Sequence, residues 1–128
     1  TYKQIKKNQE VSVSELLNKH KIFFAFNENQ LLEGMKKAGV KEKSELTSLG
    51  GGAIALKTEA KVFLDAMEQL SKKHKKELKD AKQVKEEAIL YELKNYECFY
   101  TGSIEEVVKL FDGVYSKKDI LKVFKKNN

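Results

Sequence analysis

Lysines at helical spacing form the strongest chemical pattern in this sequence. Five of them fall on one face of a predicted helix at steps of one, three and four residues: Lys72, Lys75, Lys76, Lys79 and Lys82. Such a row attracts nucleic acid or an acidic protein surface, and salt weakens both kinds of contact. Because a purely solvated helix face shows the same pattern, the spacing leaves a binding role and a solubility role open.

The type of cation limits what this surface can recognise. All 25 basic residues are lysine, and the formal net charge is +6. Arginine makes the bidentate contact that reads guanine in a duplex, whereas lysine acts on phosphate as a point charge. We therefore expect any nucleic-acid binding to be salt-sensitive and independent of base sequence.

Three consecutive glycines, Gly50, Gly51 and Gly52, lie between two short apolar runs. Glycine reaches positive φ without a Cβ clash, so the triplet predicts a tight turn or a bulge. Close approach of a partner's backbone is the alternative. A phosphate-binding loop requires lysine and a hydroxyl directly after its last glycine. Here Ala53 and Ile54 follow instead, which disfavours nucleotide binding.

Aromatic side chains are crowded into ten residues: Tyr91, Tyr96, Phe99 and Tyr100. Beside lysines they could stack on the bases of single-stranded nucleic acid, although such clusters more often belong to a core. The candidate partner-binding residues are therefore Lys72, Lys75, Lys76, Lys79, Lys82, Gly50, Gly51, Gly52 and Tyr100.

Catalytic and metal-binding patterns are missing from the sequence. His20, His74 and Cys98 have no second ligand at metal-site spacing, and we expect both histidines and the thiol to be structural. Adjacent glutamates diverge by about 100° on a helix and cannot form a catalytic pair. We expect a non-enzymatic protein without a catalytic, metal or cofactor site. A single cysteine forms no internal disulfide, which favours the cytoplasm.

Hydrophobic periodicity predicts the elements that position these residues. The expected helices are residues 3–20 with a break near Val11, a helix from cap Asn27 to Gly39, a long stretch from cap Thr58 with a break near Asp80, one from Ser103 to Gly113, and a last one capped by Ser116. The expected strands are Ile22–Phe26, buried on both faces, and a hairpin of Leu46–Leu49 with Ala53–Leu56.

These elements predict one α+β domain over residues 1–128. Its small antiparallel sheet of two or three strands would be packed by four or five helices, one of them a long amphipathic stretch. No apolar run approaches the ~20 residues that a membrane helix requires, so we expect no membrane association. Apolar helix faces look alike in a core and in a dimer interface, which leaves a homodimer open.

Five motifs, in this order, resemble a family of small proteins of unknown function encoded by bacteriophages and mobile elements of low-GC bacteria. They are Phe23-Phe24-Ala25-Phe26, Glu33 to Lys37 with Gly39, Ser48 to Gly52, Tyr91-Glu92-Leu93, and Tyr96 to Gly102. The match spans roughly residues 15 to 120. The sequence departs after the triplet, where Ala53 and Leu56 stand in a region in which the family often has a further glycine and an arginine.

The resemblance implies a phage-type accessory protein in the cytoplasm of a bacterial host. Such proteins are often stoichiometric binders, and some inhibit host defence nucleases, including CRISPR effectors. The implied partner is a host protein or a protein–nucleic-acid complex, with direct contact to nucleic acid also open. The alternative function is non-specific, lysine-mediated binding of nucleic acid. The resemblance implies no catalytic residues.

Overall fold

The computed structural model describes all 128 residues and shows an α+β fold with a three-stranded antiparallel sheet. Its helices are α1 Tyr2–Lys19, α2 Glu28–Ala38, α3 Lys57–Asp80, α4 Lys85–Asn95, α5 Cys98–Thr101, α6 Glu105–Leu110 and α7 Lys117–Asn127. Its strands are β1 Phe23–Phe24, β2 Leu46–Gly50 and β3 Ala53–Leu56, and single 3-10 turns span Lys43–Glu45 and Lys82–Val84. The predicted fold class is confirmed. There are seven helices rather than four or five, partly because the aromatic connector forms the short helix α5.

The chain divides into two compact units, each of which is described by itself. The sheet unit comprises Gln9–Leu70, and the helical unit comprises Thr1–Asn8 with Ser71–Asn128. No helix combines the length and apolarity needed to span a membrane.

The sheet unit is built around β3, which pairs antiparallel with β1 on one side and β2 on the other. Ile22, Ala55 and Phe63 form its small buried cluster. The prediction of a five-residue strand buried on both faces is wrong, since β1 has only two residues and Phe24 and Phe26 are exposed. The strand is short because only Phe23 and Phe24 pair with β3, and the chain enters α2 directly after Asn27.

The glycine triplet closes the β2–β3 hairpin, as predicted. Gly51 and Gly52 lie between the paired residues Gly50 and Ala53, and their φ angles are +58° and +84°. Two consecutive positive φ values match the two-residue turn whose twist suits a hairpin. The register also shifts between Ser48 and Gly50, which is a β-bulge.

Local capping residues behave as the sequence predicts at α2 and α7. The Asn27 side chain accepts a hydrogen bond from the Gln30 backbone N–H at 2.9 Å, and Gly39 ends α2 with φ +72°. Ser116 Oγ accepts from the Asp119 N–H at 3.1 Å. These bonds satisfy helix-end groups that have no partner within the helix.

Two predicted boundaries are wrong and one is confirmed. α1 runs without a break past Val11, and α3 begins at Lys57, so that Thr58 lies within the helix. The predicted break near Asp80 is present, because Ala81 adopts a non-helical ψ of 64° before the next 3-10 turn.

The helical unit holds the larger core. Its fully buried side chains come from α4, α5, α6, α7 and the residue that follows α6, and the largest apolar ones are Phe111, Ile89, Leu93 and Ile120. Tyr2 at the start of the chain joins this cluster, where its ring meets Tyr91 edge-on at 5.5 Å.

Candidate functional site

Charge is distributed very unevenly between the two units. The helical unit carries 17 lysines against 10 acidic residues, a formal net charge of +7, whereas the sheet unit carries 8 lysines against 9, a net charge of −1. All of the candidate lysines lie in the helical unit. The positive field that could attract an anionic partner therefore comes from this unit.

Four exposed lysines lie on one face of the C-terminal part of α3. We refer to them as the α3 lysine row: Lys72, Lys75, Lys76 and Lys79. At 100° per residue they fall within an arc of about 100°. Lys76 pairs with Asp80 at 2.7 Å, but both side chains are exposed, so this pair contributes little and opens readily.

Lys82 does not belong to this row, although its spacing predicted that it would. α3 ends at Asp80, and Lys82 lies in the following 3-10 turn. It lines a groove between α4 and α7 with a volume of about 470 Å³. The lining residues of this α4–α7 groove are Lys82, Gln83, Lys85, Glu86, Ile89, Asp119, Lys122, Val123 and Lys126.

The groove has two ion pairs on its walls. Lys85 donates to Asp119 at 2.6 Å, and Lys126 donates to Glu86 at 2.8 Å. These hydrogen bonds lower the pKa of both carboxyl groups, and the charge of Lys122 lowers each pKa further. Lys122 lines the groove from α7, one helical turn from Asp119 and one turn from Lys126.

The ring of Phe26, two residues after β1, packs against one glycine of the hairpin turn. A Cβ on Gly52 would lie 3.0 Å from Phe26 Cδ1 and closer still to Cε1 and Cζ. The Ala25 N–H donates to the Gly52 carbonyl at 2.9 Å. Gly50 and Gly51 face open space. The Phe26 ring therefore packs on Gly52, although the side chain is 74% exposed. Gly50 and Gly51 remain accessible to a partner.

The aromatic cluster separates into core and surface residues. Tyr91 packs on Tyr2, and Phe99 stacks on Phe124 with ring centres 5.1 Å apart. Tyr100, by contrast, is 91% exposed. Of the predicted stacking residues, Tyr100 is the one whose ring is most available to a ligand.

The histidines and the cysteine are divided between the two units. His20 is buried in the sheet unit, with Nδ1 3.2 Å from Glu59 Oε2. His74 and Cys98 belong to the helical unit. Burial lowers the pKa of His74 and raises the pKa of the Cys98 thiol, which is almost completely enclosed. No group of three or more His, Cys, Asp or Glu side chains is arranged to hold a metal ion.

A buried carboxylate at Glu92 was missed by the sequence analysis. Glu92 accepts hydrogen bonds from the Tyr2 hydroxyl, from Lys6 Nζ at 2.9 Å and from Asn95 Nδ2 at 3.1 Å. Burial and the hydrogen bond to Glu92 raise the pKa of Tyr2. A signal existed, because Glu92 lies on the helix face that also carries Ile89 and Leu93. These contacts attach the start of α1 to α4.

The chain belongs to a family of unknown function (DUF7659), since the family model matches residues 1–127. Comparison with curated proteins and with solved structures gives no match to this chain. Membership of a family of unknown function is therefore confirmed, and an origin in bacteriophages or mobile elements stays a prediction.

Proposed function

We propose that this protein is a non-enzymatic accessory protein that binds a host macromolecule, and that its partner is nucleic acid. The supporting observation is the separation of charge, with +7 on the helical unit and −1 on the sheet unit. A surface of this kind attracts a polyanion without needing base contacts. The absence of arginine agrees with binding that does not depend on sequence.

The α3 lysine row sets the expected strength of the salt dependence. Four phosphate contacts give a slope of log affinity against log salt of about −3.6 for duplex and about −2.8 for single strands. Raising salt from about 50 to 200 mM should then weaken binding about 50- to 150-fold.

The test compares two variants that lose the same charge. In the first, Lys72, Lys75, Lys76 and Lys79 are each replaced by Gln. In the matched control, four exposed lysines of the sheet unit are replaced by Gln: Lys36, Lys37, Lys41 and Lys61. Binding to labelled 20-nucleotide single strands and duplexes is measured by fluorescence anisotropy across salt concentrations. The first variant should lose both affinity and slope, and an equal loss in the control would refute a site on α3.

Tyr100 extends the proposal to single strands. Its exposed ring is free to stack on a base, which is worth about 1–3 kcal/mol per base. Tyr100→Ser should therefore weaken binding to single strands while leaving duplex binding unchanged. Equal effects on both forms would remove stacking from the proposal.

A second candidate function is stoichiometric binding of a host protein, including inhibition of a host defence nuclease of the CRISPR type. The observation favouring it is the exposed Phe26 ring beside the Gly50 to Gly52 turn, with Phe24 also exposed on the edge strand. Exposed aromatic side chains are frequent anchors in protein interfaces.

A pull-down from host lysate, with and without nuclease treatment, separates the two candidates. A discrete protein that survives nuclease treatment and is lost with Phe26→Ser supports the protein partner. Nucleic acid that moderate salt releases supports the lysine-mediated function. Light scattering of the purified protein tests the homodimer that the sequence left open.

A further inference from the structure

We infer that the α4–α7 groove binds a nucleotide through a phosphate monoester, either as a free mononucleotide or as the terminal nucleotide of a strand. This site is separate from the α3 lysine row and does not depend on the function proposed above. Its walls come from Lys82 in the 3-10 turn and from α4 and α7, all within the helical unit.

The first argument is charge complementarity. Four lysines and two carboxylates line the groove, which leaves a formal excess of two positive charges. Each carboxylate is already held by one lysine, since Asp119 accepts from Lys85 and Glu86 accepts from Lys126. A phosphate monoester carries close to two negative charges at pH 7, so one such group would neutralise the groove.

The second argument identifies the amines available to that phosphate. Lys122 lines the same groove from α7, one helical turn after Asp119 and one turn before Lys126. Lys82 has no carboxylate partner in the structure and lines the groove from the 3-10 turn. Lysine donates three hydrogen bonds from a compact charge, which suits a terminal phosphate rather than a planar carboxylate.

The third argument concerns the body of the ligand. Side chains at i, i+3, i+4 and i+7 of α7 line the groove, and the buried side chains of Val123 and of Ile89 on α4 lie beneath them. Lysine stems cover the neighbouring surface with methylene groups. The volume of about 470 Å³ lies in the range of small-ligand sites. An inorganic anion alone fills only a small part of this volume, whereas the sugar and base of a nucleotide fill more of it and pack on the lysine methylene groups.

The experiment uses isothermal titration calorimetry on the full chain with AMP, adenosine and inorganic phosphate. AMP should bind, adenosine should bind at least about tenfold more weakly, and phosphate alone should be weaker than AMP. Lys82→Gln and Lys122→Gln should each weaken AMP binding about tenfold, the usual effect of losing one charged hydrogen bond. The matched control is Lys118→Gln, which removes an equal charge from α7 outside the groove.

Glu86→Gln provides a variant with the opposite expected effect. It removes a negative charge from the wall and frees Lys126, so AMP should bind more tightly. Equal losses in Lys118→Gln and Lys122→Gln, or no gain with Glu86→Gln, would overturn the groove site and leave only a general charge effect. The site would also be refuted if AMP did not bind and if strands with a 5′-phosphate and with a 5′-hydroxyl end bound equally well.

A second arm distinguishes the two sources of the phosphate. Oligonucleotides of one sequence are compared with a 5′-phosphate and with a 5′-hydroxyl end. A preference for the phosphorylated end that Lys122→Gln abolishes identifies a strand terminus, and equal binding of both strands alongside AMP binding identifies the free nucleotide. The variant of the α3 lysine row should retain AMP binding, so the two proposals fail independently.

Discussion

Gly34→Ala should destabilise the protein, although the same change normally stabilises a helix. Gly34 lies inside α2, where replacing glycine by alanine usually gains about 1 kcal/mol. In this structure a Cβ on Gly34 would lie 2.8 Å from Phe23 Cγ and closer still to Cδ2 and Cε2. Carbon atoms pack best at about 3.5–4.0 Å. The new methyl group therefore occupies space that the ring already fills.

Rotation of the Phe23 ring does not relieve this clash, because the new Cβ would contact Cγ, which stays near the rotation axis, as well as Cδ2 and Cε2. Phe23 belongs to β1 and pairs with Ile54 of β3, which holds its backbone in place. Forcing an extra methyl into such a contact costs about 1–3 kcal/mol. Swinging the ring into water instead loses up to about 1.5–3 kcal/mol of burial. After the gain in helix propensity, we expect a net loss of up to about 2 kcal/mol.

Urea denaturation followed by circular dichroism measures this loss as a shift in the midpoint at constant slope. The matched control is the same glycine change in a Phe23→Ala background. Without the ring, Gly34→Ala should stabilise by up to about 1 kcal/mol, so the effect changes sign. If Gly34→Ala raises the free energy of unfolding while Phe23 is present, the close packing of ring on helix is refuted.

Three further predictions concern other parts of the structure. Glu92→Gln should lower the free energy of unfolding by about 2–3 kcal/mol in urea denaturation, because the buried network loses its negative charge and one of its two acceptor oxygens; an unchanged midpoint would contradict this. Lys85 holds the pKa of Asp119 below its ordinary 3.8, so this stabilisation is present above pH 3.8 and is lost as the pH falls further. Lys85→Gln should reduce the fall in the free energy of unfolding below pH 3.8, measured by urea denaturation at a series of pH values. An unchanged pH dependence would contradict the Lys85–Asp119 ion pair. Burial raises the pKa of Cys98, so a thiol reagent at pH 8 should label it about 100-fold more slowly in the native protein than in denaturant; equal rates would place the thiol at the surface.

Features that depend on neighbouring residues were predictable from the sequence. The caps at Asn27 and Ser116 each act over three residues, and the turn at Gly51 and Gly52 requires only positive φ. Their geometry is decided by bonds within one or two turns of chain. The break after Asp80 is similar, because the apolar pattern is too long for one ordinary helix.

Features that depend on distant residues were missed or misplaced. Glu92 is buried because Tyr2 and Lys6, about ninety positions earlier, supply its hydrogen bonds. Strand β1 is short because its pairing partner β3 contacts only two of its residues. A local sequence pattern does not show which distant segment of the chain an element will contact.

For the candidate surfaces, the sequence by itself determined the number and type of charges: 25 lysines, no arginine, and four lysines at helical spacing on α3. Only the tertiary structure decided where this charge collects, by joining Thr1–Asn8 to Ser71–Asn128 in one unit of net charge +7. It also separated Lys82 from the row and made it a lining residue of the α4–α7 groove, as Lys122 is. The reason is physical, since helical spacing is set by local backbone geometry, whereas a groove exists only where α4 and α7 pack against each other.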